Sequence, residues 1–81
     1  MEQLYQSAKR VIEKCGGHQA VADMTGVHLT RVHRWTYPAD RGGTGGLIPA
    51  KHQPTLMEEA RKRGIDLQPS DFFDAPEDQA A

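Results

Sequence analysis

The 81-residue chain has a single cysteine, no apolar stretch longer than three residues, few aromatic side chains and almost no net charge. One cysteine excludes an internal disulfide framework and predicts a reducing compartment. The short apolar stretches exclude a membrane span and a signal-peptide core, so a cytoplasmic protein is expected, with no membrane partner. Ten basic groups against eleven acidic ones exclude a histone-like coat but leave room for a local basic face. No stretch alternates polar and apolar residues in the manner of a strand, so the predicted fold class is all-α. The length suits one small domain, marginal alone and therefore expected to pair with another chain.

What charge there is lies unevenly. Residues 1–25 balance to zero, with Lys9, Arg10 and Lys14 against Glu2, Glu13 and Asp23. Residues 26–52 carry Arg31, Arg34, Arg41 and Lys51 against Asp40 alone, with His28, His33 and His52 among them. Residues 53–81 hold three basic groups against seven acids. A positive segment between a neutral start and an acidic end points to a face for an anionic partner. The alternative is a solvated stretch with incidental cations.

Leu4, Ala8, Val11, Ile12 and Cys15 make one stripe at helical spacing, which predicts a helix over 2–15 that Gly16 and Gly17 stop. A second helix is expected over 18–24 and a third over 28–36, where Leu29, Val32 and Trp35 recur at helical spacing. Pro38 ends the third by restricting Tyr37. Four glycines within 42–46 make 38–47 a flexible connection. Pro49 suits the first turn of another helix, which Pro54 should kink or split. Leu56, Met57 and Ala60 form its apolar side, and Gly64 ends it. Ile65, Leu67, Phe72 and Phe73 read as a flap closing on the core, followed by an acidic, disordered tail over 74–81. The expected architecture is a bundle of four to five short helices, with the domain spanning 1–73.

Function is most legible in residues 19–35, QAVADMTGVHLTRVHRW. Two short helices meet at a glycine-containing turn. Ala22 allows close approach, Gly26 supplies the positive φ, and Val27, Val32 and Trp35 anchor the second helix on the first. These offsets make a helix-turn-helix over about 18–36, whose second helix enters the DNA major groove; a helical corner without DNA binding shares the same features. The segment resembles the helix-turn-helix of the Cro- and YdaS-like regulators of bacterial prophages. Arg34-Trp35, Ile48-Pro-Ala-Lys-His52 and Leu67-Gln-Pro-Ser-Asp-Phe-Phe73 follow the same layout, so the likeness covers roughly 3–73. It departs in a longer glycine-rich loop and in His28, which stands where such motifs place Ser or Thr as helix cap.

The resemblance implies that Leu29, Thr30, His33 and Arg34 reach base edges, with Arg34 paired to guanine. It also implies that Gln19, opening the second helix, holds a phosphate with His18 beside it. His28, Arg31, Arg41, Thr44, Lys51 and His52 complete the expected phosphate contacts. Each arginine has the alternative role of a solvated surface charge. Trp35 is placed in the core by its spacing from Val32. A homodimer is expected from small size and a short operator, with the fourth helix and 65–73 as its interface.

No C-x-x-C or H-x-x-x-H pair supports a zinc site, and the glycines of 42–46 lack the GK[ST] ending of a phosphate loop. No nucleophile motif or carboxylate pair supports catalysis, so the expectation is a non-enzyme without metal, cofactor or small-molecule ligand. Two functions fit. The first is a sequence-specific transcription regulator of prophage type that represses by blocking polymerase on double-stranded DNA in the nucleoid. The second is an antitoxin-like or adaptor module that keeps the helix-turn-helix shape for protein contacts.

Overall fold

The apolar stripe of the first segment buries Ala8, Val11, Ile12 and Cys15 along α1 (Ser7–Cys15) in the computed structural model, which describes residues 5–73. The expected start at residue 2 lies outside the described residues, and Tyr5 and Gln6 precede the helix. The Tyr5 amide donates to the Gly45 carbonyl at 2.7 Å, and the Ala8 amide donates to the Gly46 carbonyl at 2.9 Å. The glycine loop thus caps α1 in place of a side chain, satisfying an amide that a helix start otherwise leaves orphaned. The fully buried Ser7 hydroxyl donates to the same Gly46 carbonyl at 3.3 Å, which removes the penalty of an unpaired buried polar group.

Gly16 and Gly17 reverse the chain into α2 (His18–Thr25), which buries Val21, Ala22 and Met24. Gly26 ends α2 at φ 72°, a conformation that favours glycine, and nothing lies within 4 Å of where a Cβ would stand. α3 (Leu29–Arg34) is shorter than the 28–36 span expected. Its end tightens into successive i to i+3 hydrogen bonds at Trp35, Thr36 and Tyr37, as the chain bends out of helix before Pro38.

Two prolines divide the next stretch of chain. Pro49 leads a single 3-10 turn, Ala50–His52, and α4 (Gln53–Lys62) then starts with Pro54 in its first turn, where a missing N–H costs nothing. Leu56 and Ala60 are its buried side. Among the described residues there are four α-helices, three 3-10 turns and no strand: a small all-α bundle. No described helix is long and apolar enough to cross a membrane. Trp35, Leu56, Val11, Val21 and Val32 are its most buried large side chains, joined by Met24, Ile48 and Phe72.

The closing segment meets the expectation in part. Leu67 and Phe72 are buried and Ile65 half-buried, but Phe73 is 66% exposed. The backbone turns through Pro69–Phe72 and carries Phe73 outward, so the second phenylalanine does not join the core. The acidic tail of 74–81 lies outside the described residues, as does Leu4.

Asp71 ties this segment to α1. Its Oδ2 accepts from Lys14 Nζ and from the Gln68 amide, each at 2.8 Å, while Arg10 donates to the Asp71 carbonyl at 3.1 Å. The Lys14 ammonium, with the Gln68 N–H, holds the Asp71 carboxyl below its ordinary value. A carboxyl whose pKa is depressed by folding stabilises the fold above the unfolded value and loses that contribution as pH falls through the folded one. Asp71→Asn is expected to cost about 1–2 kcal/mol at pH 7, allowing for the half-exposed lysine. The gap from wild type in urea melts should begin to shrink below about pH 4, where the carboxyl of the unfolded chain takes up its proton, and close as pH falls through the lower folded value.

Candidate nucleic-acid interface

α3 turns Val32 and Trp35 inward, at 0% and 2% exposure, and leaves Thr30, Arg31 and Arg34 on the surface. Leu29, expected at a base edge, is half-buried and packs against the core. The core therefore holds part of a side chain expected in the groove. His28 caps α3 in spite of its unusual identity: Nδ1 accepts from the Thr30 amide at 3.1 Å, with the backbone extended at φ −61° and ψ 141°. One imidazole nitrogen is thus committed to the helix start.

His33 lies against His18 of α2, their rings stacked at 4.1 Å between centroids and 14° between planes. No sequence spacing signals this pair, because the two residues are brought together only by the packing of α2 on α3. Burial, and next the neighbouring His33, push the His18 imidazole below its ordinary value. It is therefore neutral at pH 7 and offers a donor without a charge. Gln19, expected to hold a phosphate, donates its amide to Asp23 Oδ1 at 3.0 Å, one helical turn along.

On the other side of α3, Arg31 and Arg34 face Lys51 and His52 across a hollow of about 420 Å³, with Trp35 and Pro49 among its walls. The His52 ring lies 5.2 Å from that of Trp35. Burial, and next the charges of Lys51 and Arg31, push the His52 imidazole below its ordinary value. The resemblance implies Arg34 at a base edge and Lys51 and His52 at phosphates; the fold brings all three to one depression.

The glycine loop holds these elements in register. Thr44 amide donates to the Arg34 carbonyl at 3.2 Å, and Gly45 amide donates to the Tyr37 carbonyl at 2.9 Å. The Thr44 hydroxyl donates toward the Trp35 and Leu47 carbonyls and accepts from the Leu47 amide at 3.2 Å. Thr44, expected at a phosphate, is thus engaged inside the loop, and the loop expected to be flexible is bonded to both α1 and α3. Arg41 lies exposed in the 3-10 turn Ala39–Arg41 and does not line the hollow.

The cations of this face differ from Lys14 and from those at the end of α4. Lys14 pairs with Asp71, Arg61 with Glu58, and Lys62 and Arg63 with Glu59. Among the described residues no carboxylate lies within 4.0 Å of Arg31, Arg34, Arg41 or Lys51. No three His, Cys, Asp or Glu side chains among those residues come together as a metal site. Comparison of the chain with protein-family models, curated proteins and solved structures yields no match.

Proposed function

We propose that the chain binds double-stranded DNA with α3 in the major groove and regulates transcription by occupying an operator, as a repressor. The observation that carries this reading is the unpaired charge. Arg31, Arg34 and Lys51 converge without a carboxylate partner, whereas the cations of α4 are matched by acids on their own helix. Cations crowded together repel one another, and an anionic ligand relieves that repulsion. The short α2, the turn at Gly26 and the exposed Thr30 and Arg34 support the same reading, as does the resemblance to Cro- and YdaS-like regulators.

A helix of six residues reads a short site, so the reading includes a second copy bound to a second half-site. Phe73, beside a hollow of about 290 Å³ lined by Pro54, Met57 and Phe72, is the apolar group on which that contact is proposed. Phe73→Glu should convert a dimer into a monomer in sedimentation equilibrium with the helical content unchanged; an unchanged mass would place the contact elsewhere.

The test is fluorescence anisotropy with the protein's own upstream DNA and a scrambled duplex. Tighter binding upstream is expected, with a log–log salt slope of about −5 for five or six neutralised phosphates. No binding to either duplex at low salt would overturn the reading and favour the protein-interaction module.

A further inference from the structure

We propose that the hollow between α3 and the Ala50–His52 turn is a seat for one backbone phosphate of DNA, so that Arg34 positions the chain on the duplex and does not read a base. The inference rests on the DNA reading above and assigns its parts differently from the sequence. Arg31 and Arg34 are one turn apart on α3, and both line the hollow that Lys51 and His52 close from the far side. Thr30 and His33 form a different edge of the helix, the one that His33 joins to α2 through its stack with His18. The arginines therefore project toward the turn that precedes α4, while Thr30 and His33 remain for the bases.

The chemistry of the hollow suits a phosphate. Two guanidinium forks match phosphate oxygens in pairs, and Lys51 adds a point charge. The His52 imidazole, kept neutral among these cations, adds a donor without raising the repulsion in the empty site. Apolar walls from Trp35 and Pro49 lower the local dielectric and strengthen the attraction. At about 420 Å³ the hollow is large enough for a phosphodiester with its flanking sugars. Its bonded rim also keeps it in shape: Thr44 amide is fixed to the Arg34 carbonyl, and the Thr44 hydroxyl to that of Trp35.

Wild type, Arg34→Lys and Arg34→Gln are compared by anisotropy on the upstream and scrambled duplexes from 50 to 200 mM salt, with circular dichroism confirming the fold. Loss of one phosphate contact should weaken Arg34→Gln about 8-fold at 0.1 M salt on both duplexes and reduce the salt slope by about 1. Arg34→Lys should keep the slope and the ratio between duplexes. Lys51→Gln, remote in sequence, should repeat the pattern of Arg34→Gln. An unchanged slope in Arg34→Gln, or a collapse of the ratio between duplexes in either Arg34 variant, would return Arg34 to base reading and overturn the seat. Inorganic phosphate at matched ionic strength should leave the wild-type isotherm in place; displacement at millimolar phosphate would assign the hollow to a free phosphate instead of the backbone. Failure of the wild type to bind any duplex is a separate result, which overturns the DNA reading and takes the seat with it.

Discussion

Gly46→Ala is expected to lower stability by upwards of about 3 kcal/mol, a large share of the total for so small a domain. A Cβ at Gly46 would stand 1.8 Å from the Tyr5 carbonyl oxygen and 2.7 Å from its carbon, and the backbone φ of 91° is itself unfavourable for alanine. The obstacle is backbone, which cannot rotate away as a side-chain tip does. The same glycine caps α1 through the Ala8 amide and receives the Ser7 hydroxyl, so relief of the clash breaks those bonds. Gly26→Ala is the matched control. Its φ of 72° carries the conformational cost, but nothing lies within 4 Å of the added methyl, so about 1–2 kcal/mol is expected. Urea unfolding followed by Trp35 fluorescence separates the two. Equal losses at the two positions would mean that the loop is not held against α1.

The double variant Arg31→Gln, Lys51→Gln should lose about 60-fold in affinity for duplex DNA at 0.1 M salt, from two cationic contacts to the seated phosphate of about 8-fold each. Both side chains are exposed, and neither pairs with an acid among the described residues, so the fold should be undisturbed. The loss should fall equally on upstream and scrambled duplexes and shrink as salt rises, because the contacts act through charge and not through base edges. A loss confined to the upstream duplex would assign one of the two residues to sequence reading. The effect should also exceed that of Arg61→Gln plus Lys62→Gln on α4, whose charges are matched by Glu58 and Glu59.

Local rules explain most of the helices. The stripe from Ala8 to Cys15, the glycines after α1 and α2, and Pro54 in the first turn of α4 are each set by residues a few positions apart. Phe73 shows where such rules stop. Two adjacent phenylalanines have equal claims on the core, and the turn that separates them is fixed by Asp71 bonding back to Lys14, 57 residues earlier. The glycine loop shows the same limit. Gly43 and Gly46 read as freedom in sequence, yet added methyls would meet Tyr37 and Tyr5 backbone, so their smallness serves close contact.

The candidate interface divides in the same way. Val32 and Trp35 facing inward, with Thr30, Arg31 and Arg34 outward, follow from helical spacing alone. His28 as a cap is legible from its position, although histidine is an uncommon choice. The stack of His18 on His33 and the meeting of Arg34 with Lys51 are not legible, since each joins segments fifteen or more residues apart. Thr44 looks free in sequence, as a hydroxyl within a glycine loop, whereas here it bonds the Trp35 and Leu47 backbone while lining the hollow.

The central claim is that DNA meets the protein at α3 and the turn before α4. Amide chemical-shift changes on titration with the upstream duplex test it most directly, since they locate the contact without any substitution. The largest changes are expected at residues 29–34 and 50–52, with little at 58–63. Changes concentrated on α4, or none at saturating duplex, would contradict it.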